Sequence, residues 1–211
     1  MTKDCSSACI SASHNLEGND VMTMQRFFTV LTLMTGLNSA AFAATAEFTA
    51  CGIVSGDDAQ KFVGGPLDVK EHAKVPTTNG PGTYDSICTY VGRGTNVENS
   101  LTSPRLLDLT LHFLNSADEI NKIYQNSIEQ YAQMAKAPDP PFKNATITAI
   151  DGFGDRAFVL EAVTDPKTGY RSALIVFYKG AIGGSIAAWK KPESSLETTK
   201  AVLRHVLSRL P

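Results

Sequence analysis

The sequence lacks the features that identify several large classes of protein. It has no apolar run that reaches the roughly 18 residues a membrane-spanning helix needs. Its 19 Lys and Arg residues are outnumbered by 21 Asp and Glu residues, so no basic surface for nucleic acid is predicted. Charged residues make up 19% of the chain and hydrophobic residues 43%. This composition excludes a disordered chain and indicates a single globular domain, which we expect to be monomeric.

Histidine and cysteine are also scarce, with four of each. His72, His112 and His205 have no ligand partner at short spacing, so no metal site is predicted. Asp108 and His112 fall on the same side of one predicted strand, but four residues of strand separate them by about 13 Å. That separation is too large for one shared metal, and we expect His112 to be a surface residue. No G-x-S-x-G motif indicates a serine nucleophile, and no cofactor is predicted.

The sequence does contain the pattern of an export signal. Residues 24–26 include a positive charge, residues 27–34 form a short apolar run, and small residues follow as far as Ala43. This order is typical of a secretory signal peptide. We predict cleavage after Ala43, with Ala46 as the second choice, and a periplasmic or secreted protein. A buried N-terminal helix is the alternative interpretation.

Residues 1–23 place a polar segment before the positive charge, which is unusual for a signal peptide. We interpret them as a mis-assigned extension, with translation starting at Met22 or Met24. The predicted organisation is therefore an extension at 1–23, a signal peptide at 24–43 and one secreted α+β domain at 44–211.

Two cysteines remain in that domain, Cys51 and Cys88. An even number of cysteines in an exported chain indicates a disulfide bond. Lipid modification of Cys51 is the alternative, but Phe48 is a poor lipobox residue and the site lies far beyond the apolar run. We therefore predict a bridge between Cys51 and Cys88.

Hydrophobic periodicity predicts the helices and the best-defined strand. A capping box at Ser55 opens a short helix that Gly64 ends, and two further capping boxes at Ser116 and Ser194 open long amphipathic helices. Residues 106–114 alternate apolar and polar, as expected of a half-buried antiparallel strand. Residues 67–85 are expected to be an exposed loop with marginal strands.

The block from residue 144 to 189 contains four further apolar runs separated by turn residues. The run at 172–178 is apolar on both faces and should be the central strand of the sheet. Gly183 and Gly184 indicate either a bulge or a close approach to the backbone. The predicted fold class is α+β, with an antiparallel sheet of about five to seven strands, two long amphipathic helices and one short N-terminal helix.

The candidate functional turn lies at the start of this block and comprises Asp151, Gly152, Gly154, Asp155 and Arg156. Residues 152–157 match G-x-G-x-x-A, the alanine form of a dinucleotide fingerprint. In the fingerprint the last small residue opens a helix that binds pyrophosphate, whereas here a strand follows. We therefore interpret these residues as a turn between strands.

Several of these motifs together resemble a known family. They are the short helix between Cys51 and Pro66, the Cys-Thr-Tyr strand at 88–90, the Gly-Phe-Gly-Asp-Arg-Ala-Phe element at 152–158, a Tyr-Lys-Gly hairpin and a closing helix. The chain resembles uncharacterised bacterial envelope proteins and lipoproteins with a domain of unknown function. That resemblance implies a PsbP-like α+β fold and export, and it implies no activity. Phe153 departs from the usual leucine.

We therefore expect an exported, non-catalytic binding or accessory protein of the bacterial envelope. Its partner would be an envelope protein or a small ligand. One alternative is an envelope enzyme that uses Asp151, Asp155, Arg156 and Glu161 near the candidate turn. Such an enzyme requires these side chains to converge in a pocket with shifted pKa values. Another alternative is a module that binds a protein partner through an exposed apolar patch.

Overall fold

A computed structural model of the chain describes residues 48–76, 83–95, 103–114, 116–118, 120–136, 144–165 and 167–211. The predicted extension, signal peptide and cleavage sites lie outside these residues. Four helices and seven strands are present in the described part. In chain order they are α1 (Ala50–Ile53), α2 (Gly56–Val63), β1 (Leu67–Pro76), β2 (Tyr84–Gly92), β3 (Arg105–Phe113), α3 (Ile120–Ala135), β4 (Thr146–Ala149), β5 (Arg156–Asp165), β6 (Tyr170–Lys179), β7 (Ile182–Lys190) and α4 (Ser195–Arg209).

The seven strands form one sheet in the order β1-β2-β3-β7-β6-β5-β4, and every neighbouring pair is antiparallel. The prediction of an α+β fold with an antiparallel sheet is therefore confirmed. The apolar run at 172–178 lies in β6, beside the middle strand β7, so its predicted central position is one strand off. Its two apolar faces are explained because it is covered by helices on both sides of the sheet.

Helices α1, α2 and α4 cover one side of the sheet, which we call the helix-rich face. The core on this side contains Leu107, Leu109 and Leu111 of β3 together with Val202 and Leu203 of α4. The alternation predicted for β3 is thereby confirmed, because its odd-numbered leucines are buried here. Lys179 at the end of β6 donates to the carbonyls of Leu207 and Leu210, at 3.1 and 2.7 Å, at the end of α4.

Helix α3 packs on the opposite side of the sheet, which we call the α3 face. Ile120 and Tyr124 of α3 contact a group of side chains from β5 and β6: Phe158, Leu160, Val176 and Tyr178. A smaller apolar cluster of Val91, Leu106 and Trp189 lies on the same face at the other end of β3 and β7. The indole Nε1 of Trp189 donates to the carbonyl of Ser103 at 2.9 Å, so its polar atom is satisfied within the core.

The disulfide between Cys51 and Cys88 is present, with the two Cα atoms 5.2 Å apart. It joins α1 to β2 and engages the sulfur that lipid modification would need. Next to it, the Tyr90 hydroxyl donates to the carbonyl of Val54. Burial raises the pKa of Tyr90 to about 12, so this donor keeps its proton.

The structure corrects two predictions near the N-terminus. We expected one short helix there, but α1 precedes α2, because Thr49 caps a single turn by accepting from the Gly52 amide. One turn is too short to produce a periodic pattern. We also expected an exposed loop with only marginal strands at 67–85, yet residues 67–76 form the ten-residue strand β1. This strand lies at the edge of the sheet, where charged side chains such as Lys70 and Glu71 hide the apolar alternation.

The predictions made from the helix-capping serines and from the glycine pair at 183–184 were partly correct. The capping box at Ser55 is complete, with Asp58 as its reciprocal partner. Ser194 caps α4 by accepting from the Glu197 amide. Glu119, the acid of the capping box predicted at Ser116, lies outside the described residues. The bulge suggested at Gly183 and Gly184 is absent, because the β7 register is continuous there. The alternative holds: a Cβ on Gly184 would lie 2.7 Å from the Phe177 ring.

Candidate functional site

The candidate turn at 151–156 packs against the hairpin between β6 and β7. Gly152 and Gly154 have φ values of +80° and +72°, in the left-handed region that favours glycine. The Asp155 amide donates to the Tyr178 carbonyl at 2.8 Å, and its carboxylate accepts from the Gly180 amide at 2.7 Å. These contacts connect the 151–156 turn to the β6–β7 hairpin, so they indicate a structural role for the turn.

The charged side chains near this turn have separate surroundings. Asp151 is exposed, whereas Asp155 accepts from Gly180. Glu161 lies 3.9 Å from Arg171 on the neighbouring strand. The Arg156 guanidinium lies 5.7 Å from the centre of the Tyr124 ring on the α3 face. Within the described residues, the contacts of these side chains do not gather them around one cavity.

A cleft of about 510 Å³ lies instead on the α3 face, between α3 and the strands β3, β7 and β6. We call it the α3 cleft. Its volume is within the range of small-molecule sites. It combines apolar and hydrogen-bonding side chains: His112, Leu114, Ile123, Asn126, Ser127, Gln130, Tyr131, Val176, Tyr178 and Ser185.

One wall of the α3 cleft holds an Asp–His pair. Asp85 of β2 and His112 of β3 are directly opposite each other in the antiparallel register. The His112 Nδ1 lies 2.7 Å from an Asp85 carboxylate oxygen. The carboxylate therefore holds the ring in one orientation, with Nδ1 as the donor. His112 lies at the surface as expected, with 40% of its side chain exposed, and its pairing with Asp85 was not predicted.

Two hydroxyl groups meet where α3 crosses β6. The Ser127 and Tyr178 oxygens are 2.8 Å apart. Burial raises the pKa of Tyr178, and burial also raises the pKa of Tyr131 on the same side of α3. Both phenols therefore remain neutral at physiological pH and keep a proton to donate.

A further carboxyl group lies in the same face of the sheet, beside the α3 cleft. Asp108 accepts from the Thr89 hydroxyl at 2.6 Å across the β2–β3 pair. Burial raises the pKa of Asp108, and the hydrogen bond from Thr89 opposes that shift. Thr110 and Ser185, which are opposite each other in the register, continue this polar row toward His112.

A second cleft of about 470 Å³ lies near the β5–β6 hairpin. Its lining carries both signs of charge, including Glu161, Arg171 and Lys191. The Lys191 ammonium lies 5.1 Å from the centre of the Tyr170 ring. The hydrogen bond of the Asp165 side chain with Thr168 lowers the pKa of Asp165, whose carboxylate shapes the hairpin loop. These charges largely have local partners, so the α3 cleft is the better candidate site.

Two further properties concern only the part of the chain that the structure describes. There, no three His, Cys, Asp or Glu side chains come together as a metal site. No helix in those residues has both the length and the apolar character needed to cross a membrane.

Comparisons of the chain with protein-family models, with curated proteins and with solved structures found no match. The fold and the candidate site are therefore the only basis for describing the class of this protein. It is an α+β protein with a seven-stranded antiparallel sheet, an intramolecular disulfide and a polar cleft beside α3.

Sequence reasoning did not identify the α3 cleft, although two signals pointed to it. Asp108, Thr110 and His112 alternate along β3, which we interpreted as a solvent-facing side. Ile123, Asn126 and Gln130 recur at helical spacing along α3, beside its buried stripe. The missing information was the register that pairs His112 with Asp85 and the position of α3 on the sheet.

Proposed function

We propose that this chain is an exported, non-catalytic binding protein of the bacterial envelope, and that the α3 cleft holds its ligand. The observation that supports this best is the convergence of α3, β3, β6 and β7 on one cavity. That cavity has the size of a small-molecule site and exposes several hydrogen-bonding side chains together with an apolar floor.

The proposed export rests on separate observations. The order of charged, apolar and small residues at 24–43 is typical of a signal peptide. A disulfide such as Cys51–Cys88 persists in oxidising compartments and is rare in the cytosol. The family resemblance described above agrees with the same location.

The two alternatives have less support. Asp155 and Glu161 have individual partners and Asp151 is exposed, which argues against an enzyme built around that turn. The large apolar side chains that are exposed in the described residues are Val69, Val75, Met134 and Val163. Val69 lies between Asp68 and Lys70 on the edge strand β1, and Val75 lies between Lys74 and Pro76 on the same strand. An edge strand with charged residues and a proline suits a protein partner poorly.

The test is retention of envelope components by the exported protein, with and without a blocked cleft. Gln130→Trp places a large side chain in the α3 cleft. Gln133→Trp adds the same side chain at an exposed position of the same helix that does not line the cleft. Envelope extract is passed over each immobilised protein, and the retained molecules are identified by mass spectrometry.

We expect a small molecule to be retained by the unchanged protein and by Gln133→Trp, and lost with Gln130→Trp. Equal retention by both variants would place the binding site outside the cleft. Retention of a protein alone would favour the partner-binding alternative.

A further inference from the structure

The charges around the α3 cleft restrict what it can bind. Among the described residues that line it, none is Lys, Arg, Asp or Glu, and the imidazole of His112 already pairs with Asp85. An anionic ligand would find no cation apart from His112, and the Asp85 carboxylate stands behind that ring. A cationic ligand would find no carboxylate among the described lining residues. Because an unpaired charge is costly to remove from water, both kinds of ligand are disfavoured.

The polar groups of the cleft are mostly neutral and able both to donate and to accept. Asn126 and Gln130 each offer an amide oxygen and an amide NH₂ group, and Ser127, Tyr178 and Ser185 offer hydroxyls. Among the described residues, the side chains of Asn126, Gln130 and Ser185 have no hydrogen-bond partner, so they are open to a ligand. Such a set matches a molecule with several hydroxyl or amide groups close together.

His112 adds an acceptor of defined direction. Since its Nδ1 donates to Asp85, the Nε2 of this tautomer carries a lone pair and can accept a hydrogen bond from a ligand hydroxyl. Asp85 acts on the ligand through His112 and is a positioning residue. The side chains of Ile123 and Val176 and the ring of Tyr131 provide an apolar floor for the carbon-bound hydrogens of the same ligand.

We infer that the α3 cleft binds an uncharged saccharide, in the size range of one or two sugar units. This inference rests on the proposed function, because it names the ligand of the same cleft. Neutral sugars combine closely spaced hydroxyls with an apolar ring face, which is the combination that the cleft offers. Hydrogen bonds to such a ligand leave no buried charge unpaired.

The test uses the exported protein labelled with ¹⁵N and a set of four soluble probes. They are N,N′-diacetylchitobiose, which is neutral, the deacetylated and cationic chitobiose, glucuronate as an anion, and hexanoate as an apolar anion. Amide shifts are followed by NMR during titration. We expect the neutral disaccharide to move amides of residues 123–131 and 182–186, and to bind at least about tenfold more tightly than each charged probe, a difference of about 1.4 kcal/mol.

Matched variants connect the binding to the proposed contacts. Asn126→Ala and Gln130→Ala should weaken binding of the disaccharide by about fivefold or more each, since each removes one or two hydrogen bonds. Asn121→Ala and Gln133→Ala change the same residue types at exposed positions of α3 outside the cleft, and they should bind as the unchanged protein does. For Asp85→Asn, the imidazole ¹⁵N shifts of His112 should report a changed tautomer along with weaker binding.

The outcomes separate this inference from the proposed function. If a charged or apolar probe binds in the cleft more tightly than the disaccharide, the saccharide inference is overturned and the binding function stands. If no probe moves the cleft amides, the inference is likewise overturned, and the comparison of Gln130→Trp with Gln133→Trp decides the binding function. The saccharide inference would also be overturned if Asn126→Ala and Gln130→Ala bound the disaccharide as tightly as the unchanged protein does.

Discussion

The carboxylate of Asp58 accepts a hydrogen bond from the guanidinium of Arg209, which follows it by 151 residues, at 3.1 Å. The same carboxylate belongs to the capping box of α2, and the same guanidinium donates to the Ile53 carbonyl at 2.7 Å. His205 Nε2, which is buried, lies 3.6 Å from the same Asp58 oxygen. One acidic side chain therefore joins the start of α2 to the last turns of α4.

Replacing Asp58 should destabilise the fold in a pH-dependent way. Hydrogen bonds from Ser55 and Lys61, with a contribution from Arg209, lower the pKa of Asp58 in the folded state. Its unfolded pKa is about 3.9. A lowered folded pKa contributes stability that is present above about pH 4 and is lost as the pH falls toward the folded pKa. We expect Asp58→Asn to lower the urea midpoint at pH 7, and to lower it less at pH 3.

The control for this prediction is Asp57→Asn, one position earlier in the same first turn. Asp57 is exposed and is not the reciprocal partner of the capping box. Its replacement should change the urea midpoint little at either pH. Equal effects of the two replacements at pH 7 would show that Asp58 acts only through its charge near the start of α2, without the link to α4.

The two glycines of the 151–156 turn should differ in their tolerance of alanine. Both have positive φ, so a Cβ costs about 1 kcal/mol at either position. At Gly152 no atom lies within 4 Å of that Cβ, whereas at Gly154 it would lie 2.4 Å from the Tyr178 carbonyl oxygen. We expect Gly152→Ala to lower the free energy of unfolding by about 1 kcal/mol and Gly154→Ala by about 3 kcal/mol or more.

Urea denaturation of both glycine variants measures this difference directly. A tryptophan is available as the fluorescent reporter, since Trp189 is buried in β7. If the two variants were equally stable, the turn would not be held against the β6–β7 hairpin as the Asp155 contacts indicate.

Much of the fold followed from local patterns because those patterns reflect burial in adjacent elements. The alternating leucines of β3 and the helical spacing in α4 both mark the side that faces the helix-rich core. β1 was predicted only as a marginal strand within a loop, because an edge strand with charged side chains has little apolar alternation. α1 was missed because a single turn capped by Thr49 has no period to detect.

The α3 cleft depends on information that no local pattern contains. His112 was recognised as a polar residue of β3, but its partner Asp85 belongs to a different strand, and only the β2–β3 register brings them to 2.7 Å. In the same way, the meeting of Ser127 and Tyr178, 51 residues apart, follows from where α3 packs. Conversely, the Gly-Phe-Gly-Asp motif was conspicuous in the sequence because tight turns need glycine.

The proposed export can be tested by a direct measurement of where the recovered chain begins. We expect the intact mass of the protein recovered from the periplasm or the culture medium to correspond to a chain beginning at Ala44 or at Glu47. Replacing Ala43 with a bulky residue should move cleavage to the second site, since signal peptidase requires a small residue there. A recovered protein that retained Met24 would contradict export by this signal.

The disulfide should make a large contribution to stability, because it closes a loop with a sequence separation of 37. In the chain-entropy model, a loop of this size corresponds to about 4 kcal/mol. We expect the oxidised exported protein to show no free thiol when labelled without reductant. Replacing Cys51 and Cys88 together with serine should lower the free energy of unfolding by roughly that amount.

The unchanged protein in reductant should lose a similar amount of stability, and the serine variant should be insensitive to reductant. A serine variant as stable as the oxidised protein would show that the bridge does not constrain the unfolded chain, and labelling of both cysteines would show that it does not form.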